Sequence, residues 1–446
     1  MAATSNPGTK LFAPQARLVD ANTNKVVGTT PERSAPSGAD VDLVSARVTL
    51  ALNNVCQLQV VLNNHRNDRG RPLFPPWKYN NLAQIRFGQR LRLDMRYGAD
   101  PWSKMILARV TDLQFGFPQS GAAQLTVIGE DLLSLLKTKP DKNQPYADRN
   151  EDFIVGDVLH RSKADTLGLK FIGTTPDPKG DPLKGPLVAW PELQPLRSLT
   201  HNNQTTYLAF LQGIAERMDF ELFVDFTERL ILDSETPPDH ANTVKLHFEP
   251  ARSVAAPKRV LDLVWGRDLI EFTPRFKMWE LLTKVEIGGT KHGTRAPYRA
   301  TIEPGDAAIT ADLQEDPTVP ADRKVTLLGA ADVRKKFFDD EGTAAPNAEP
   351  LSTANLDPDR ARLMGIATLR RSLREALTAE GSTIGVPALR PGMYVCIRGL
   401  YPPFDGLYYV TQTVHTFDGN GYRTQFSLRR PGMLDPTQYP ATKASS

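Results

Sequence analysis

The closing part of the chain, residues 381–432, constrains the fold most strongly because it alternates like an antiparallel sheet. Leu407 to Phe417 is a long run of β-branched and aromatic residues, and Tyr422 to Leu428 alternates apolar with polar side chains. Asp418 to Gly421 separates the two runs, and residues of these types tolerate the positive φ of a hairpin turn. The pattern therefore predicts a meander with one apolar face and one polar face that is free for solvent or a partner.

The alternation is also present upstream, interrupted by helical segments. Residues 41–136 contain five to six predicted strands, spaced as in a sandwich or a barrel. Helices are predicted at Phe153 to Leu169 and at Thr205 to Met218, where apolar residues recur every three or four positions. Strand patterns return over 243–290. The fold class is therefore predicted as mainly β with α+β insertions.

A third helix is predicted shortly before the closing meander. It runs from Asp359 to Ala379, with Pro358 at its first helical position and Gly381 ending it. The residues before it, 291–354, are rich in Ala, Asp, Pro and Thr and break the strand pattern. We interpret this region as an insertion into a second β-unit, and the preceding sequence LLTKVEIGG is predicted to open that unit.

Charge and cysteine content exclude several classes of protein. The 54 basic and 51 acidic residues leave a net charge of only +3, whereas binding to phosphate groups needs a clustered basic surface. We therefore expect no nucleic-acid binding, and no run approaches the roughly 18 apolar residues of a membrane span. Cys56 and Cys396 lie in separate predicted strands, which indicates buried free thiols and folding in a reducing cytoplasm.

Catalytic and metal-binding patterns are weak in this sequence. The seven histidines form neither an HExxH motif nor an i,i+4 pair, and the nucleophile-elbow and phosphate-loop motifs are missing. Asp418 to Gly421 resembles the start of a calcium loop, but Arg429 occupies the position of the required glutamate. We predict no catalytic residue, no metal ligand and no cofactor site, and therefore a protein that is not an enzyme.

One loop carries candidate contact residues. Residues 63–80 are polar and end in a segment that contains Arg71, Trp77 and Tyr79. Such side chains can stack on nucleic acid, but Trp, Tyr and Arg are also the common anchors of protein interfaces. We therefore predict that these three residues form a possible protein interface.

Three stretches resemble one protein family. The motif order in 381–432, which includes LRPG, GLYYV and the later histidine and Tyr-x-Thr, resembles the C-terminal barrel of the phage late control protein D family. That family is the baseplate hub of contractile tails and contractile injection systems, and the hub part of type VI secretion spike proteins is similar. LTVIGEDLLSLL and the segment around Thr205 to Met218 resemble the same family. The family-like structural positions are Pro391, Gly392, Gly399, Leu400, Gly406, Tyr409, His415, Tyr422 and Thr424.

The resemblance implies two tail-tube-like β-barrels with a small α/β domain between them. The implied divisions are an N-terminal tail and edge strand at 1–40, the first barrel at 41–147, the α/β domain at 148–242, the second barrel at 243–290 and 382–432, an insertion ending in a helix at 291–381, and a C-terminal tail at 433–446.

The resemblance also implies a structural role as a trimeric adaptor. A homotrimer would join a hexameric inner tube protein to a trimeric spike, alongside other baseplate proteins. Because the sequence ends soon after the second barrel, we expect the spike to be a separate protein. The chain would assemble in the cytoplasm and become part of a virion tail or an extracellular injection particle. Two alternatives stay open: a baseplate-associated cell-wall hydrolase, and a monomeric module that binds carbohydrate or peptide.

Overall fold

The computed structural model describes most of the predicted β-region. The described residues are 14–30, 42–68, 71–98, 100–146, 149, 151–171, 199–225, 244–251, 260–277, 282, 284–290, 294, 296–303, 327–328, 348–352, 358–400, 404–430 and 433–434. Most of the predicted terminal tails and most of 291–354 lie outside the described residues.

The fold is dominated by one 13-stranded sheet, largely antiparallel. Its strands are β1 (Pro14–Asp20), β2 (Val26–Thr29), β3 (Leu43–Ala51), β4 (Gln57–Asn63), β7 (Arg90–Tyr97), β8 (Ser103–Gly116), β9 (Gln124–Asp131), β15 (Val260–Val264), β16 (Leu269–Phe276), β21 (Leu377–Ile384), β22 (Tyr394–Arg398), β23 (Gly406–Asp418) and β24 (Gly421–Arg430). The hydrogen-bonded order is β16-β21-β24-β23-β3-β4-β9-β8-β7-β1-β2, with β22 on β23 and β15 on β22.

Two groups of five strands in this sheet have the same arrangement. The first module consists of β3, β4, β9, β8 and β7 in spatial order, and the second module of β16, β21, β24, β23 and β22. We number the five strands of each module in chain order. In both modules strand 1 pairs with strand 2, strand 2 with strand 5, strand 5 with strand 4, and strand 4 with strand 3. The described sheet therefore contains two β-modules with the same strand order.

The described ladder does not close into a barrel. The two modules are joined through β3 and β23, so the strands form one open path rather than two closed rings. β1 lies between β2 and β7, and β2 is the outermost strand at that end of the described path.

Each module has its own apolar core, because the strands alternate as the sequence predicts. The core of the first module includes Leu58, Val60 and Val127, and that of the second includes Val395 and Val410. A 3₁₀ helix, Leu132–Lys137, follows β9, and its N-terminal residue Asp131 accepts a hydrogen bond from the Leu133 N–H. This helix begins the connection to the middle of the chain.

The middle of the chain forms a small α/β domain. It contains α1 (Glu151–Arg161), α2 (Tyr207–Met218), β10 (Gln144–Tyr146), β11 (Leu169–Phe171), β12 (Leu199–His201), β13 (Phe220–Asp225) and β14 (Val244–Pro250). β14 pairs with β11 and β13, so this domain extends past the predicted boundary at 242. Apolar side chains of both helices and of β11, β13 and β14 share one core with the 3₁₀ helix.

A further unit forms around the third helix, α3 (Pro358–Arg374), which packs on β17 (Lys284–Thr290) and β18 (Pro297–Ile302). β20 (Ala348–Ser352) completes its three-stranded sheet. The prediction that LLTKVEIGG opens the second β-unit is wrong, because its strand β17 pairs with β18 and β20. The remaining strands are β5 (His65–Asp68) with β6 (Arg71–Trp77), and β19 (Leu327–Leu328) with β25 (Met433–Leu434).

The predicted end of α3 is also wrong. The helix ends at Arg374, and Gly381 lies inside β21 instead of terminating the helix. A Cβ atom at Gly381 would lie 2.7 Å from the ring of Phe426 and 2.8 Å from the backbone oxygen of Glu271. The glycine is therefore required by close packing in the sheet, a use of glycine that resembles a helix stop in sequence.

Candidate assembly site

The two modules share a β-bulge at equivalent positions. In β8 the register with β9 shifts between Val110 and Asp112. In β23 the register with β24 shifts between Val410 and Gln412. A bulge adds one residue and bends its strand. Near this point β23 passes from pairing with β22 to pairing with β3, and the described pairing of β8 with β7 ends.

The extra residue of each bulge is a threonine with the same hydrogen bond. The Thr111 hydroxyl donates to the carbonyl oxygen of Ile128 at 3.3 Å. The Thr411 hydroxyl donates to that of Ser427 at 3.1 Å. Both threonines follow a valine, Val110 and Val410, and the ladder shows that the two positions are equivalent.

A glycine with positive φ supports each bulge from the neighbouring chain segment. The Gly88 N–H donates to the Val110 carbonyl oxygen at 2.9 Å, and the Gly392 N–H donates to that of Val410 at 2.9 Å. Their φ angles are 75° and 81°, a region that disfavours side chains with a Cβ atom. Gly392, one of the family-like positions, thus supports the bulge of the second module.

A second repeated bulge lies in the first strand of each module. The register of β3 shifts around Val44 and that of β16 around Ile270. Both side chains are exposed, by 43% and 45%. With two bulges in common, the modules correspond residue by residue along these strands.

The modules meet along an antiparallel ladder between the first strand of one and the long strand of the other. Gln412 pairs with Ala51 at one end and Phe417 with Ala46 at the other. The ladder uses the part of β23 that follows its bulge. The part before the bulge pairs with β22 instead.

One face of the joined sheet is polar across eight strands. We define this polar face by two rows of paired residues that are mostly Gln, Thr, Ser and charged side chains. The first row is Glu271, Ser382, Gln425, Val414, Thr49, Gln57, Glu130 and Arg109, and the second is Ile384, Arg423, Thr416, Arg47, Gln59, Ile128 and Asp112. Both rows cross the junction of the modules without a break.

His415 lies on the opposite, core-facing side and is completely buried. Its Nδ1 lies 2.8 Å from the Tyr422 hydroxyl and 3.1 Å from the Thr424 hydroxyl. Its Nε2 lies 3.0 Å from the Leu389 carbonyl oxygen. The three family-like residues therefore form one buried hydrogen-bonded cluster, which fixes the loop before β22 to the hairpin.

Burial makes this cluster sensitive to pH. Desolvation, and after it the charge of Arg390, lowers the pKa of His415 to about 3. The neutral ring stabilises the fold fully above the unfolded pKa of about 6.5. That stabilisation is lost as the pH falls towards 3, and by pH 3.5 the loss is on the order of 4 kcal/mol.

The effect is measured as the difference in unfolding free energy between the native protein and His415→Gln. The comparison is needed because burial raises the pKa of Asp131 to about 7, so the Asp131 contribution grows as the pH falls. We expect the native protein's advantage to be constant above pH 6.5 and to shrink steadily below it. An advantage that is equal at pH 7 and pH 4 would contradict the assignment.

The other family-like residues occupy the turns around β22 and β23. Pro391 precedes Gly392 before β22, and Gly399 and Leu400 follow it. The N–H groups of Gly399 and Leu400 donate to the two carboxylate oxygens of Asp405 at 3.2 and 2.7 Å. Gly406 has a φ of 122° and begins β23. These residues therefore lie in the two connections on either side of β22.

Tyr409 helps to attach the α/β domain to the second module. Its hydroxyl donates to the Glu221 carboxylate at 2.6 Å, and the Arg429 guanidinium also donates to that carboxylate. The first module is attached to the neighbouring residue of β13: the Asn53 N–H donates to the Leu222 carbonyl oxygen at 2.8 Å, and the Leu222 N–H donates to the Asn53 side chain at 2.7 Å. β13 therefore contacts both modules near their junction.

The sequence analysis missed Glu221, Arg429 and Arg390. Glu221 and Arg429 are 208 residues apart, and alternation alone gives no signal that they are partners. Arg390 belongs to the LRPG motif, and its guanidinium donates to the carbonyl oxygens of Met105, at 2.9 Å, and Lys104. The LRPG motif indicated that this segment is important, but the partners of Arg390 in β8 can be identified only from the tertiary fold.

The three predicted interface residues are not equivalent in the structure. The Trp77 ring packs edge-on against Phe117, with centroids 4.9 Å apart, and is partly exposed. Tyr79 is fully buried and donates its hydroxyl to the Val27 carbonyl oxygen at 3.2 Å, so it is a core residue and not a surface anchor. Arg71 lies at the start of β6.

The described residues offer little for catalysis or metal binding. They contain no group of three or more His, Cys, Asp or Glu side chains that could hold a metal ion. Both cysteines are free and buried, as predicted, and burial raises the pKa of Cys56. None of the described helices combines the length and the apolar character needed to cross a membrane.

Comparison with solved structures shows which proteins have a similar fold. The tail protein from Neisseria meningitidis MC58 aligns over 96% of this chain and 100% of its own, with a TM-score of 0.55 and 10% identity. The 43 kDa tail protein of prophage MuSo2 from Shewanella oneidensis aligns over 95% and 99%, with a TM-score of 0.52 and 14% identity. The chain has the fold of prophage tail proteins.

This tail-protein fold is also similar to a chain of the lidded PdpA–VgrG complex from Francisella. That alignment covers 99% of this chain and 56% of the other, with a TM-score of 0.50 and 9% identity. No family model and no curated protein matches the sequence. The resemblance seen in the sequence is confirmed as a likeness of fold.

Proposed function

We propose that this chain is the structural hub of a contractile phage tail or contractile injection system. Three copies form a ring that joins a hexameric inner tube to a trimeric spike. The observation that carries the proposal is the repeated five-strand module with its repeated bulges. Three chains with two equivalent modules each present six similar units, which suits a six-fold neighbour, while the whole subunits keep three-fold symmetry.

The two sides of the sheet suit such a ring. The α/β domain contacts both modules through β13. The side chains of the two apolar cores lie on one side of the strands, and the polar face lies on the opposite side. Elements that cover a curved sheet need the larger circumference, so we place them outside and the polar face along the channel. Its Gln, Thr and Ser side chains would give the channel a hydrated wall.

The ring is tested by measuring the mass of the purified protein with light scattering across a concentration series. We expect a species of three chains that binds the tube protein and the spike protein of its particle separately and at the same time. A well-folded monomer at every concentration, binding neither protein, contradicts the proposal and favours a monomeric binding module.

The hydrolase alternative has its own test. A cavity of about 270 Å³ on the polar face is lined in part by the two carboxylic acids Glu271 and Glu380. We expect peptidoglycan to remain intact in the presence of the protein. Turnover that disappears in Glu271→Gln or Glu380→Gln would support an enzyme instead.

A further inference from the structure

The repeated modules leave two strand edges without a partner among the described residues. β23 pairs with β3 beyond its bulge, but the equivalent part of β8, from Asp112 onward, pairs only with β9. Within the described residues β3 pairs on both sides, whereas its equivalent β16 forms a ladder with β21 only and, at Leu269, one isolated bridge with Trp265. Each free edge corresponds to one half of the internal junction.

We propose that β16 of one copy pairs with the part of β8 beyond the bulge in the next copy, in the register of the internal junction. This inference rests on the proposed ring and specifies its subunit contact. The bulges at Val110 and Val410, and those at Val44 and Ile270, fix the equivalent residues. The pairs between copies are Asp112–Lys277, Leu113–Phe276, Gln114–Arg275, Phe115–Pro274, Gly116–Thr273 and Phe117–Phe272, matching the internal ladder from Gln412–Ala51 to Phe417–Ala46.

The side chains on the core side of this ladder are complementary. Leu113 and Phe115 pack against the core of the first module, and Phe272 and Phe276 against that of the second. Phe117 is 51% exposed in the single chain, and the pairing places it opposite Phe272. The contact would therefore join the two apolar cores across the subunit boundary.

The side chains on the other side are polar in two of the three pairs, and in the third pair Gly116, which has no side chain, lies opposite Thr273. Asp112 and Lys277 have opposite charges, and Gln114 lies opposite Arg275. The polar face would thus continue from one copy into the next. A shift by one residue would place apolar side chains on the polar face, so this register is favoured over its neighbours.

The hydrogen-bond pattern of β16 agrees with an edge that pairs selectively. The Lys277 N–H donates to the Ala376 carbonyl oxygen at 2.9 Å, on the side of β21. Alternation along the strand therefore directs the nitrogen of Pro274 towards the free edge, the place where a strand tolerates proline. The pair Phe115–Pro274 would form one hydrogen bond in place of two, which restrains pairing with unrelated strands.

A disulfide between copies tests the register. The Leu52 N–H donates to the Thr411 carbonyl oxygen at 3.0 Å, so the next pair of the internal ladder, Gln412–Ala51, is a non-hydrogen-bonded pair. Its equivalent is Asp112–Lys277, and the Cα atoms of such pairs lie about 4.5 Å apart, within the range of a disulfide. We expect the double variant Asp112→Cys with Lys277→Cys to form, on mild oxidation, a covalent product of three chains.

Matched controls use the same oxidation. Either single variant is expected to give no cross-linked product. The contact joins two different strand edges, and each single variant has a new cysteine on only one of them. The double variant Asp112→Cys with Thr273→Cys is out of register and should cross-link at least tenfold less. The native Cys56 and Cys396 are both buried, so the unmodified protein gives the background.

The outcomes separate this inference from the proposed function. The protein could form a ring of three chains in which Asp112→Cys and Lys277→Cys do not cross-link, or in which the out-of-register pair reacts equally. Either result overturns the proposed register but is compatible with the proposed ring. A protein that is always monomeric overturns both. A second test needs no cysteine: Asp112→Lys should weaken association roughly two- to fivefold, and adding Lys277→Asp should restore it; failure of the restoration contradicts the pairing.

Discussion

Glu221→Ala is expected to lower the free energy of unfolding by about 3–5 kcal/mol. Glu221 is only 1% exposed and accepts hydrogen bonds from Tyr409 and Arg429. Removing the carboxylate leaves a guanidinium and a hydroxyl enclosed without their acceptor, and the cost of an uncompensated buried charge dominates. Urea unfolding followed by tryptophan fluorescence measures the change.

Two further variants show whether this effect comes from the buried charge of Glu221. Glu221→Gln keeps an acceptor for the tyrosine hydroxyl but loses the charge, so its cost should be intermediate. Glu216→Ala removes a carboxylate that is 73% exposed and 3.5 Å from Arg371, and such surface pairs contribute at most about 1 kcal/mol. Equal effects at Glu221 and Glu216 would show that β13 is not held at the junction by its buried carboxylate.

Gly385→Ala is expected to cost at least about 3 kcal/mol, and to reduce the yield of folded protein, because of steric overlap. A Cβ atom at this position would lie 2.1 Å from the ring of Tyr422. That ring cannot move away easily, since it stacks on Tyr97 with centroids 5.8 Å apart and its hydroxyl is held by His415. The backbone of Gly385 also donates to the Tyr422 carbonyl oxygen at 2.8 Å.

The matched control for this variant is Gly419→Ala in the neighbouring hairpin turn. A Cβ atom there has no atom within 4 Å, and its φ is not in the left-handed region. Thermal unfolding of the two variants should therefore differ by many degrees, with Gly419→Ala close to the native protein. Equal melting temperatures would contradict the tight packing around Tyr422.

The sequence predicted those parts of the fold that depend on local patterns. Alternation located the closing meander, and the Asp418–Gly421 turn lies between β23 and β24 as expected. Apolar spacing located α2, which Thr206 caps. The fold class followed from these patterns and from the resemblance.

The parts that the sequence did not predict depend on contacts between distant segments. Gly381 was interpreted as a helix stop because a glycine after a helical pattern is ambiguous, and only the ring of Phe426 explains it. β17 was assigned to the wrong sheet because a short apolar strand does not identify its partner. The repeated bulges at Thr111 and Thr411 became visible only through the ladder.

The most direct measurement of the central claim is electron microscopy of the purified protein and of particles that contain it. We predict a ring of three chains at the end of the tube, in which six five-stranded modules surround a channel and the polar face lines it. A single copy, or a ring whose modules do not repeat around the axis, would contradict the account.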